Sequence, residues 1–323
     1  MSKGEFERIA DYFAPLAAKF GGAYGLTDDA ATIAPGTGRT LVVTTDTIVE
    51  SVHFIGDETA DLIARKLLRV SLSDVAAMGA VPRAYLLNIA LRRELSDTWL
   101  ERFVAGLRQD QEEYNIHLIG GDSVSTSGPI VLTATMFGEV EEGRALRRSG
   151  AGPGDGVFVS GTLGDGVLGL RAAKGDLSEA KQDTVAALAD RYRLPRPRTA
   201  LGPSLAGIAT AAADVSDGLI ADLGHIADAS AVGARIEFER LPLSDEARQI
   251  VMDRSELLAM AATGGDDYEL VFTAPEEKIA TLLENWSGVS VTRIGTITAD
   301  SSVRAVDAHG ETLLFPRIGF RHA

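Results

Sequence analysis

Apolar residues recur at helical spacing near the start of the chain. Phe6, Ile9, Ala10, Phe13, Leu16, Ala17 and Phe20 predict an amphipathic helix over residues 4–20. Thr59 can cap a longer one through Leu62, Ile63, Lys66, Leu67, Val70, Leu72, Val75 and Met78, stopped by Gly79 and Pro82. Between them, Leu41-Val42-Val43-Thr44-Thr45-Asp46-Thr47 has the β-branched density of a strand. The alternation continues with a strand at 84–91, a helix at 96–114 and strands at 117–123 and 130–138. A second series starts at Val157-Phe158-Val159 and adds helices at 166–173 and 183–192. The stiff, extended Leu194-Pro195-Arg196-Pro197-Arg198 follows. After it come an apolar run to Ala213, the periodic Leu219, Leu223 and Ile226, and a strand at 234–238. Helices near 245–252, 255–261 and 276–285, strands at 289–297 and 302–306, and the tail Pro316-Arg317-Ile318-Gly319-Phe320 complete the pattern.

Composition shifts at Glu141-Glu142-Gly143, so the pattern divides into α/β domains over 1–143 and 144–323. Each is long enough to bury its own core. Lys+Arg 31 against Asp+Glu 46 leaves a net charge of -15, which argues against nucleic acid and anionic membrane as partners. Residues 1–20 carry Glu5, Glu7 and Asp11 and lack a signal peptide's basic start, so a cytoplasmic protein is expected. With no cysteine, disulfides, thiolate zinc sites and cysteine nucleophiles are excluded.

The carboxylates change this picture. Asp214-Val215-Ser216-Asp217-Gly218 ends an apolar run in two carboxylates around a hydroxyl. Taken alone, it reads most simply as a helix N-cap; the sharper reading is a divalent-cation site. Asp28-Asp29, Asp46, Asp74, Gly120-Gly121-Asp122 and Gly264-Gly265-Asp266-Asp267 repeat the device at element ends. If they converge, the site needs several cations, and hard oxygen ligands favour Mg2+ over zinc. Arg144, Arg147 and Arg148 make a compact positive patch suited to phosphate. A multi-Mg2+ site points to a nucleotide triphosphate, yet the chain has no G-x-x-x-x-G-K-[ST] loop and no H-R-D or D-F-G set. Gly161-Thr162-Leu163-Gly164-Asp165-Gly166 lacks the dinucleotide spacing.

In order, Thr44-Thr45-Asp46-Thr47 with His53-Phe54, Ser71–Ala80, Gly120-Gly121-Asp122, Arg148-Ser149-Gly150-Ala151, Asp214–Gly218 and Gly264–Leu270 resemble the thiamine-monophosphate kinase family. That family shares a superfamily with aminoimidazole ribonucleotide synthetase and selenophosphate synthetase. The resemblance implies two α/β domains, the N-terminal sheet forming a barrel with its copy in a homodimer, and the C-terminal domain sandwich-like. It implies ATP-dependent, Mg2+-dependent phosphorylation of thiamine monophosphate, with K+ as a possible further ion. Asp29, Thr44, Thr45, Asp46, Asp74, Asp122, Asp214 and Asp217 would be metal ligands. Gly121, Asp122, Arg148 and Ser216 would form the ATP-binding set; His53, Glu269 and Phe320 would face thiamine phosphate. Asp46, Asp122, Arg148 and Asp217 would be the catalytic set. Thr27 replaces the family's second glycine in Gly25–Asp29, and Ser71 replaces its asparagine. Competing readings are an aminoimidazole ribonucleotide synthetase-like enzyme and a non-catalytic acidic cation-binding protein.

Overall fold

The computed structural model describes residues 5–252, 254–315 and 319–320. Position 4 of the first predicted helix, the Phe6 side chain, and Pro316, Arg317 and Ile318 of the tail lie outside the described residues. Contacts divide the chain into two units: Met1–Val75 with Ala80–Gly143, and Ala76–Gly79 with Arg144–Ala323. No helix among the described residues is long and apolar enough to cross a membrane.

The first unit opens with α1 (Glu5–Arg8), a π turn over Ile9–Phe13 and α2 (Ala14–Ala17) where the pattern predicts one helix. Pro15 explains the interruption, because it has no N–H to give the carbonyl four residues back. Then come β1 (Arg39–Val49), α3 (Ala60–Ala77), β2 (Val81–Arg92), α4 (Asp97–Tyr114), β3 (His117–Thr126) and β4 (Val131–Glu141). They form a four-stranded sheet of order β1-β4-β2-β3, antiparallel except for the β2–β3 pair. Strand alternation divides the faces. On β1, Val42 and Ile48 are buried, whereas Val43, Thr45 and Thr47 are exposed. Across the strands, the Thr45 hydroxyl pairs with Thr135 at 3.1 Å and Thr47 with Thr133 at 2.8 Å. Ser96 caps α4 by accepting from Trp99 N, and α3 is tied to α4 by Arg69, which donates to both oxygens of buried Asp110 at 2.8 and 3.0 Å.

The second unit contains β5 (Gly156–Ser160), α5 (Asp165–Ala173), α6 (Gln182–Arg193), α7 (Leu201–Leu205), β6 (Ala211–Asp214) and α8 (Leu219–Ser230). It continues with β7 (Gly233–Glu237), α9 (Asp245–Val251), α10 (Ser255–Thr263), β8 (Leu270–Ala274), α11 (Glu276–Leu283), β9 (Val291–Thr298) and β10 (Val303–Val306). The six-stranded sheet runs β10-β7-β9-β5-β8-β6 and is antiparallel except for the β10–β7 pair. Its central strands are buried on both sides. Val157, Val159, Ala213 and Val271 pack with α8 residues Leu219, Leu223 and Ile226. Phe158, Ala212, Leu270 and Phe272 pack on the other side with Leu201, Leu205 and Ile279. Two covered faces explain why these strands read as unbroken apolar runs. The fold is thus mixed α/β with a sheet in each unit.

Phe158 and Phe272 stack with ring centroids 5.5 Å apart, and Phe272 has no solvent exposure. Phe272→Ala should therefore destabilise the protein by about 3–5 kcal/mol. Urea unfolding followed by circular dichroism measures this; a loss below about 1 kcal/mol would show that the cavity collapses.

Candidate active site

In the first unit, β1 and α3 bring Thr44, Asp46 and Asp74 together. The Thr44 hydroxyl donates to Asp74 Oδ2 at 2.5 Å. Burial, and then the negative charge of Asp74, raise the Asp46 carboxyl from an ordinary 3.8 to about 6. Nearby Ser71 works the other way, but its hydroxyl stands outside hydrogen-bonding geometry. Asp46 Oδ2 is buried without a hydrogen-bond partner among the described residues. An orphaned acceptor beside a second carboxylate fits a hard cation, so the donor set suits Mg2+. Thr45 lies between these residues in sequence, but its hydroxyl is on the exposed face with Thr135.

A second cluster lies along β3. Asp28, Asp29, Gly120, Gly121 and Asp122 line a cavity of about 280 Å³ whose apolar wall includes Phe13 and Leu118. Gly121 has φ 153°, and a Cβ there would meet Leu87 O at 1.8 Å, so only glycine fits so close to β2. Thr27 has α-region φ/ψ and donates to Tyr24 O at 2.7 Å, so the replacement of glycine strains nothing. The register separates the two clusters. Asp46 pairs with Ala134, Ala134 with Leu87, and Leu87 with Gly121. Three strand spacings put about 14 Å between the Asp46 and Gly121 backbones, too far for Asp46 and Asp122 to share an ion within one copy. His53, in the loop after β1, accepts from Val49 N through Nδ1 at 3.1 Å, which leaves its ring proton on Nε2.

In the second unit, Asp214 ends β6 and Gly218 begins α8 with φ 123° and no side-chain cap. The N-cap reading of Asp214, Ser216 and Asp217 is therefore overturned. Asp222, four residues into the helix, does the capping from within: its Oδ2 accepts from Ser216, Asp217 and Gly218 N–H at 3.1, 3.0 and 3.0 Å. Burial, then the Asp217 charge, raise the Asp222 carboxyl to about 7, against the pull of those amides and Arg148. Ligand atoms of Asp217, Asp222 and His225 lie within 4.8 Å of one another. On one side of the turn Asp266 N donates to Ser216 O at 2.9 Å; on the other, Phe320 N donates to Asp217 O at 2.9 Å. Arg148 is exposed on a loop held by Ser230.

Glu269 departs from the expectation. It is fully buried, accepts from Ser160 Oγ at 2.6 Å and is ion-paired with Arg191 and Arg198. Its charge is matched internally, so it does not present a free carboxylate to a cationic substrate. Asp267 is also structural: it is buried and accepts from Gly164 and Gly166 N–H at 2.7 and 2.8 Å. The glycine-rich loop thus grips a protein carboxylate. Asp266 is the half-buried carboxylate of that turn, held at φ 70°. Sequence reasoning passed over Asp222, and it singled out Asp266 only together with Asp267, without a role of its own. The available signal for Asp222 was a lone carboxylate in the first turn of an otherwise apolar helix.

The fold and these clusters now define a class. The chain matches the AIR synthase related protein N-terminal domain over residues 27–140 and the corresponding C-terminal domain over 152–308. It is 41% identical to a thiamine-monophosphate kinase of Caulobacter vibrioides, covering 98% of this chain and 90% of that one. The crystal structure of thiamine-monophosphate kinase from Stenotrophomonas maltophilia K279a is 41% identical, covers 89% and 91% of the two chains and superposes with a TM-score of 0.80. AaThiL complexed with AMPPCP and TMP is 31% identical, covers 91% of both chains and has a TM-score of 0.78. The chain belongs to the thiamine-monophosphate kinase family within the AIR synthase related proteins.

Because the folded Asp46 holds its proton more tightly than the unfolded chain, the metal-free protein should lose stability as pH rises from about 4 to about 6. Asp46→Asn should flatten that decline. Thermal unfolding of both proteins in chelator across this range reads the difference; parallel curves would show that Asp46 is not strained by its neighbour.

Proposed function

We propose that this enzyme transfers the γ-phosphoryl group of ATP directly to the phosphate of thiamine monophosphate, giving thiamine diphosphate, and requires Mg2+. What supports the reading is the half-buried Thr44–Asp46–Asp74 cluster in a chain similar over nine-tenths of its length to AaThiL complexed with AMPPCP and TMP. In this reading Asp29, Thr44, Asp46, Asp74, Asp122, Asp214 and Asp217 are metal ligands; Thr45 contributes through its backbone. Bound Mg2+ neutralises charge between two polyanions. Gly121, Arg148 and Ser216 take ATP, and His53 offers its Nε2–H to the substrate phosphate. Phe320 supplies an aromatic face to the cationic ring. The carboxylate facing that ring passes from Glu269 to Asp266.

The acceptor is a phosphate monoester whose second pKa is about 6, so it is already ionised at neutral pH and needs no general base. Positioning and charge neutralisation by Asp46, Asp122, Arg148 and Asp217 then carry the in-line transfer. The 14 Å between Asp46 and Gly121 favours a homodimer, in which a copy of β3 completes the set begun by β1. A cytoplasmic setting suits a chain without cysteine whose substrates are phosphorylated metabolites. Whether K+ assists is read by repeating the assay in Na+ buffer.

A coupled assay with ATP, Mg2+ and thiamine monophosphate tests the reading; ADP release with aminoimidazole-type substrates only, or no turnover, would overturn it. Asp217→Asn should keep its melting temperature and lose about 100-fold or more in turnover. Asp266→Asn should raise KM for thiamine monophosphate with little change in KM for ATP. A phosphorylated protein on a kinetically competent path would rule out direct transfer.

A further inference from the structure

The 12-residue helix α8 touches functional segments at both ends. At its first turn, one carboxylate oxygen of Asp222 gathers three consecutive N–H groups of the Ser216-Asp217-Gly218 turn. Asp222 is 1% exposed, so these bonds are shielded from water. Gly218 cannot carry a side chain here, since a Cβ would meet Thr263 O at 2.6 Å. The turn is thus pinned by its amides, leaving the Asp217 side chain out of the capping interaction. At the last turn, Ser230 Oγ accepts from Gly150 and Ala151 N–H, both at 3.1 Å, and donates to Arg148 O at 3.2 Å. Gly150 is required there as well: its φ is 122° and a Cβ would meet Thr210 O at 2.4 Å. The positive charge of Arg148 is felt at Asp222, so its side chain works toward the other end of the helix.

We infer that α8 is a spacer about 18 Å long and that Asp222 and Ser230 are positioning residues at its two ends. Asp222 fixes the turn that aims the Asp217 carboxylate, and Ser230 fixes the loop that presents Arg148. The inference rests on the kinase reading for the identity of the ligands, and on the hydrogen bonds alone for the positioning. The two ends divide the work: cation affinity depends on Asp222, nucleotide affinity on Ser230.

The test compares wild type with Asp222→Ala, Asp222→Asn and Ser230→Ala. Asp222→Ala should raise the Mg2+ concentration for half-maximal turnover by about tenfold or more, the scale of losing hydrogen bonds to a charged group. Turnover at saturating Mg2+ should largely recover. Amide hydrogen exchange of residues 216–218, followed by mass spectrometry without ligands, should accelerate in the same variant. Asp222→Asn keeps one acceptor oxygen and should restore most of the protection and of the Mg2+ affinity. Ser230→Ala should raise KM for ATP by about three- to tenfold, as for the loss of an ordinary intramolecular hydrogen bond, with the Mg2+ dependence unchanged. Faster exchange in Asp222→Ala without a shift in Mg2+ requirement, or unchanged exchange, overturns the positioning role. If Asp222→Ala does not fold, Asp222→Asn decides: protection of residues 216–218 and Mg2+ affinity kept together or lost together support the role, and a change in one without the other overturns it. Absence of thiamine monophosphate turnover in the wild type sinks the kinase reading instead, while the exchange result still decides whether Asp222 holds the turn.

Discussion

Carboxylates brought out of water must be matched or must attract something that matches them. This protein does both, and the difference separates scaffold from site. Asp110, Asp222, Asp267 and Glu269 are buried and supplied with donors: arginine forks for Asp110 and Glu269, backbone amides for Asp222 and Asp267. Asp46 is left with an orphaned oxygen beside Asp74, and its carboxyl is driven up to about 6 by burial and that neighbour. A chain that satisfies these four buried acids so thoroughly leaves Asp46 under strain where a cation can relieve it.

Glycines give the scaffold its close approaches. Gly121 lets β3 run against the Leu87 carbonyl, and Gly218 lets the turn after β6 pass under Thr263. In each case the glycine stands beside a carboxylate that the proposed reading gives to metal. Close backbone packing makes the turn rigid, and rigidity holds like charges at a fixed spacing before any ion arrives. The cost of that repulsion is met by the cores beneath: one sheet in each unit, with the second sheet covered on both faces.

Element types were largely legible, because the periodicities are strong and the breakers stand where elements end. Strand β1, helix α4 and the pair β9 and β10 follow the apolar pattern to within about two or three residues. The first helix, expected to be continuous, is interrupted, and Pro15 was the signal that its apolar periodicity masked. Strand order was not legible: β1-β4-β2-β3 is non-sequential, and only the register shows that Asp46 and Gly121 stand at opposite edges of one sheet. Nor could sequence tell Glu269 from Asp266. Both follow the same two glycines, and the distinction depends on arginines 71 and 78 residues away in the chain. Asp222 was hidden for a simpler reason: a first-turn carboxylate usually serves the helix dipole, and its use here is visible only once three amides converge on it.

The net charge of -15 sets the last constraint. A surface this acidic repels ATP and a phosphorylated acceptor at long range, over roughly a Debye length of 8–10 Å. Cations answer that repulsion at two distances: in solution they screen it, and at Asp46 and Asp74 they would reverse it locally. In the proposed reading Arg148, exposed on a loop bonded through its backbone to Ser230, would add a third, directional contribution. An acidic protein can handle polyanions in this way without a basic surface, provided its attraction is confined to the site. In that reading selectivity would follow from the same arrangement, since a polyanion that cannot share cations with these carboxylates would meet the net repulsion of the molecule.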